Sequence, residues 1–168
     1  MKSDEARRLF RSGANCAQAV VCAFRDECGF SSEQAMRVGS SFGGGMGRLR
    51  EVCGAVTGMF LVSGMVEGPE SADSKALKDQ QYKRVQSLAK AFKAQTGSLI
   101  CRELLGLPSG KDSPVSQDRT AEYYAKRPCE VMVGLAAEIL EQHLRQRKAD
   151  LANSIAHSST QEGEVHHE

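Results

Sequence analysis

Apolar residues recur at three- and four-residue spacings along most of the chain, the period of helices with one face turned inward. The pattern is clearest from Ser74 to Thr96, where Leu77, Gln81, Val85, Leu88 and Phe92 share a stripe. It returns after Pro128, which suits the first position of a helix. That last helix turns Val131, Leu135, Ala136, Ile139, Leu140 and Leu144 inward. Shorter helices are expected over Ser3–Arg11, with Ala6, Leu9 and Phe10 inward, and over Cys16–Glu27, with Cys16, Ala19, Val20, Ala23 and Phe24 on one stripe. Asn15 stands where an N-cap belongs, and Ser31 with Gln34 spells a capping box for a helix through Val38. Gly29 closes the second helix, and Gly106 with Pro108 closes a short one over Leu99–Leu105. Asp118–Ala125 reads as a further short helix and Gly110–Ser116 as a loop.

One stretch departs from the amphipathic pattern. A glycine loop, Gly43-Gly44-Gly45-Met46-Gly47-Arg48, leads into Cys53 and an apolar run from Ala55 to Met65 that ends at Glu67-Gly68-Pro69. In a helix Gly54, Gly58, Leu61 and Met65 fall on one face. Each interior glycine costs about 1 kcal/mol relative to alanine, so Gly54 and Gly58 imply the close approach of another backbone or a bulky group. The run is shorter than the roughly 20 residues a bilayer span requires. It reads as a buried central helix that the others surround, giving an all-α, single-domain bundle over residues 1–149. Residues 150–168, rich in Ser, Asn, His and Glu, read as a flexible polar tail.

Composition narrows the function classes. The 168 residues carry a net charge of +1 with both signs mixed, unlike the basic surplus of a nucleic-acid binder. The charged opening, Met1 to Phe10, lacks the apolar core of a secretory signal, so a cytoplasmic location, with reduced thiols, is expected. Six cysteines then point to metal binding, catalysis or burial rather than a disulfide framework. Four of them, Cys16, Cys53, Cys101 and Cys129, fall in the first turn of an expected helix, where free N–H groups and the helix dipole favour a thiolate or a metal–thiolate centre. Arg48 and Arg50 precede Cys53, Arg102 follows Cys101, and Lys126 and Arg127 precede Cys129. Cys22 and Cys28 lack this placement and are expected only to pack.

The runs GANCAQAV at 13–20, FGGGMGR at 42–48 and CGAVTG at 53–58, with Cys101 in CRELLG and the late Cys129, resemble the redox-active proteins known as the C_GCAxxG_C_C family. The centre reads Cys-Gly-Ala here where the family label spells Gly-Cys-Ala. The resemblance spans about residues 5–145 and maps the family's four cysteines onto Cys16, Cys53, Cys101 and Cys129. It implies an all-helical bacterial or archaeal protein with redox activity, and it supplies no substrate.

The residues themselves leave two redox chemistries open with equal weight. Four thiolates are the normal ligand set of an iron–sulfur cluster; alternatively, pairs of thiols cycle with disulfides, needing no cofactor. In the second case Cys53, after a flexible loop and two arginines, is the expected nucleophile, and four cysteines allow three pairings. A structural zinc site ranks lower, because no Cys-x-x-Cys knuckle is present. A tight turn that needs positive φ is the favoured reading of such a loop; as a middle reading, the amides of Gly43, Gly44 and Gly45 are candidates to face the sulfurs and tune the centre. The loop lacks the strand and the Gly-Lys-Ser/Thr ending of a phosphate cradle. Hydrolytic Cys–His catalysis has no histidine near the helix starts. The contrasting class is a helical interaction or scaffold domain whose cysteines only pack. Electron transfer or thiol exchange with a redox partner protein is expected, without nucleic acid or membrane insertion; the glycine stripe serves intrachain packing or a homodimer seam.

Overall fold

The computed structural model describes residues 1–110 and 112–161, with side chains through 156. Helices account for 69% of it and no strand or sheet forms among the described residues, so the fold is all-α. In chain order the helices are α1 (Lys2–Arg11), α2 (Cys16–Ala23), α3 (Ser32–Gly39), α4 (Gly43–Met46), α5 (Gly54–Glu67), α6 (Lys75–Thr96), α7 (Cys101–Leu104), α8 (Ala121–Lys126) and α9 (Cys129–Gln161). No helix among the described residues is long and apolar enough to cross a membrane.

Local chemistry sets most of these boundaries. Asn15 and Ser31 each cap a helix, and both caps are reciprocal boxes closed by Gln18 and Gln34. Ser74 caps α6, and Gly97, with φ of 84°, ends it. Thr120 accepts from the Tyr123 amide, so α8 begins at 121 rather than at 118. Pro128 stands one place before α9, and its carbonyl accepts the Met132 N–H at 3.0 Å. Helix α2 stops at Ala23, short of Gly29, because the chain tightens into three-residue turns: Phe24 N–H bonds to the Val21 carbonyl and Arg25 N–H to that of Cys22. Helix α9 continues beyond 149 to Gln161 through a run without glycine or proline; the last residues of the expected tail, 162–168, lie outside the described residues.

Two helices share the centre. Residues 54–59 of α5 are all buried, and so is every residue of α2 except Gln18. The glycines let these helices touch: a Cβ on Gly58 would lie 3.0 Å from the Ala17 carbonyl, and one on Gly54 would lie 2.8 Å from that of Phe42. The stripe is therefore used within the chain, against α2 and the turn before α4. Phe10, Phe24, Phe92, Met59, Leu140 and Val133 complete a core drawn from α1, α2, α5, α6 and α9. Three expected inward positions are exposed instead. Met65, Leu77 and Val131 lie at the margins of their stripes, where neighbouring helices do not reach.

The two ends of α5 differ in kind. At its C-terminal end the Glu67 carboxylate is fully buried, 3.1 Å from Arg147, 3.0 Å from His143 and 3.7 Å from Arg84, and it accepts from the Ser63 hydroxyl at 3.1 Å. These contacts tie α5 to α6 and α9. The N-terminal end opens on a cavity.

Candidate functional site

The glycine loop shapes one wall of that cavity. Gly44, Gly45, Met46 and Gly47 all have φ between 62° and 70°, and the turn closes through Gly47 N–H to the Gly43 carbonyl at 2.9 Å. This is a left-handed turn, and Arg48 and Arg50 extend the positive-φ conformation, with φ of 69° and 63°. Left-handed backbone costs about 1–2 kcal/mol for each residue bearing a Cβ, and such strain concentrates at working sites. The turn brings Gly45 against Cys101, where a Cβ would lie 2.6 Å from the cysteine's own.

Backbone pairing then sets two cysteines side by side. Cys53 N–H donates to the Leu99 carbonyl at 2.7 Å, Cys101 N–H donates to that of Glu51 at 2.6 Å, and Val52 bridges Ile100. Cys16 and Cys129 come from the starts of α2 and α9. All four cysteines line a single cavity of about 210 Å³, together with Gly43, Gly44 and Gly45. Cys16, Cys101 and Cys129 are the first residues of their helices and Cys53 is the N-cap of α5. Cys22 and Cys28 are buried elsewhere in the core.

The four thiols are not equivalent. Cys129 is lowered to about 7, chiefly by hydrogen bonding with Cys16 and then by the guanidinium groups of Arg127 and Arg119, against burial. It is also the only one of the four that is not fully buried. Cys16 is raised, first by its hydrogen bonding to Cys129 and then by burial, so it is the protonated member of the pair. Burial pushes Cys53 up to about 12, although the Ala55 and Val56 amides pull the other way. At Cys53 desolvation therefore outweighs the two amide contacts of the helix start. Cys101 is raised by burial and opposed by Arg50, whose Nη1 donates to its sulfur at 3.7 Å.

The arginines take positions that chain proximity does not reveal. Arg50, 3% exposed, reaches Cys101 rather than Cys53 and pairs with Asp112 at 2.5 Å. Arg48 pairs with the same carboxylate at 3.1 Å. Arg50 holds Asp112 below its usual range. Arg102, beside Cys101 in the chain, turns away to the carbonyls of Pro108 and Gly110, and Lys126 pairs with Glu122. Arg127 does face the cavity. Arg119, which no motif singles out, faces it too: its guanidinium lies 4.7 Å from the Phe10 ring and 4.8 Å from that of Tyr123. The aromatic pair Tyr123-Tyr124 was its one signal in the sequence. His143, engaged with Glu67, lies outside the cavity.

Among the described residues no three of His, Cys, Asp or Glu come together closely enough to hold one metal ion.

Over residues 14–143 the sequence matches the family described as "Putative redox-active protein (C_GCAxxG_C_C)". No curated protein and no solved structure matches the chain.

Proposed function

The chain belongs to the C_GCAxxG_C_C family, and from that premise we propose that it is a dithiol reductant in which Cys129 attacks and Cys16 resolves. A pair of thiols in one cavity, one lowered and one raised by the other's presence, carries this reading. An attacking thiol is most effective when its pKa is near the ambient pH, and Cys129 alone among the four meets that condition while remaining accessible. The substrate class is a disulfide. The Cys129 thiolate attacks one sulfur, the external S–S bond breaks, and one half leaves as a thiolate. Cys16 then gives up its proton, its sulfur attacks Sγ of Cys129, and the second half leaves. The two protein thiols lose two electrons and the external disulfide gains them, ending as two thiols with one proton from Cys16 and one from water. Cys53 and Cys101, held protonated by burial, form the second pair.

The test is mass spectrometry of the reduced protein after treatment with bis(2-hydroxyethyl) disulfide. A Cys16–Cys129 bridge is expected, and the Cys16→Ser variant should instead trap a mixed disulfide on Cys129. A mixed disulfide on Cys53 or Cys101, or no disulfide at all, would overturn the assignment. Iron with acid-labile sulfide in protein purified without air, lost on replacing any of the four cysteines, would replace it with a cluster.

A further inference from the structure

The cavity has four guanidinium groups in its wall, Arg48, Arg50, Arg119 and Arg127, and no carboxylate among its lining residues. Asp112, which is not among the lining residues, pairs with both Arg48 and Arg50. Arg127 meets the Gln117 side-chain oxygen at 2.5 Å and the Tyr123 ring at 4.8 Å. Arg119 donates through Nη2 to the Ala14 carbonyl at 3.3 Å and rests on aromatic rings. Neither has a carboxylate partner among the described residues. Moreover, Nη1 of Arg119 is buried and has no hydrogen-bond partner.

An unsatisfied buried donor is destabilising, and more so when it is charged. Proteins seldom retain one without a use. The Tyr123 ring lies within cation–π distance of both guanidiniums, 4.8 Å from each. The starts of α2, α5 and α9 converge on the same space, so their free amides and dipoles add to the positive field. Arginine forks suit oxyanions, which accept two parallel hydrogen bonds. At about 30 Å³ per water, the roughly 210 Å³ of the cavity admits an ion or organic acid of a few heavy atoms.

We infer that this cavity binds a small oxyanion against Arg119 and Arg127, beside the Cys129 sulfur. Taken with the dithiol reading, on which this second step rests, the disulfide that Cys129 reduces is small and carries a carboxylate or sulfonate.

The test compares alkylation of Cys129 by iodoacetate and by neutral iodoacetamide on the full, reduced chain, with a free cysteine derivative as reference. The acetate-to-amide rate ratio should exceed that of the reference by about tenfold or more, the scale of electrostatic steering into a charged cleft. Arg119→Gln should bring the ratio down towards the reference, and Arg119→Lys should retain part of the preference. Sodium sulfate should slow iodoacetamide saturably in the unaltered protein, a measurement that needs no variant. A ratio equal to the reference, with no saturable sulfate effect, overturns the site. Because alkylation requires no disulfide, a missing Cys16–Cys129 bridge would sink the dithiol reading alone and leave the anion site standing.

Discussion

At the residue scale the site depends on which thiol is ionised. Alkylation of Cys129 should rise through a midpoint near pH 7, while Cys53 should stay inert until far above pH 9. Mapping iodoacetamide adducts across pH by mass spectrometry checks both. Cys16→Ala removes the thiol whose pairing with Cys129 chiefly lowers it, so the midpoint should move up. Stability should respond with opposite signs. Cys129 is lowered from 9.0, so its contribution is complete above pH 9 and disappears as pH falls through 7. Cys53 is raised from the same value, so its contribution is complete below 9 and disappears as pH rises towards 12. The four cysteine positions were legible in the sequence because Asn15, Pro128 and the glycine loop announce helix starts. Their ranking was not, since it depends on burial and on Arg119, which is ten residues from Cys129 and no nearer to the other three in the chain.

At the element scale the left-handed turn is the least replaceable part. Gly45→Ala would put a Cβ at φ of 70° and 2.6 Å from that of Cys101. It should lower stability by about 2 kcal/mol or more, seen as a reduced urea midpoint, and disturb Cys101 before Cys129. Three glycines in a row signalled positive φ; that Met46, Arg48 and Arg50 would follow suit was hidden, because residues with a Cβ adopt it only under tertiary compulsion. The cap at Asn15 was fully legible. Its side chain also donates to the carbonyls of Gly39 and Ser40, at 3.3 and 3.0 Å, tying α2 to the turn before α4. Asn15→Ala should cost about 1–2 kcal/mol and, by loosening Cys16, weaken its hold on Cys129. A thermal melt together with the Cys129 alkylation midpoint would register both effects.

At the scale of the whole molecule, α5 separates a working end from a holding end. Its N-terminus and those of α2 and α9 supply the cavity, and packing these helices side by side required the small residues of α2 and the glycines of α5. The far end is secured by the buried Glu67 carboxylate between Arg147, Arg84 and His143. The sequence showed Glu67 only as the start of a chain break, because its partners come from helices 17 to 80 residues away. Removing one member of such a buried cluster leaves the others unpaired, at a cost of about 3–5 kcal/mol. Glu67→Ala should therefore lower the urea midpoint sharply under reducing conditions. The cavity touches none of these groups, so the folded fraction of the same variant should keep the Cys129 midpoint near pH 7. A shifted midpoint would mean that the holding end also positions the thiols and that the two ends of α5 act as one unit.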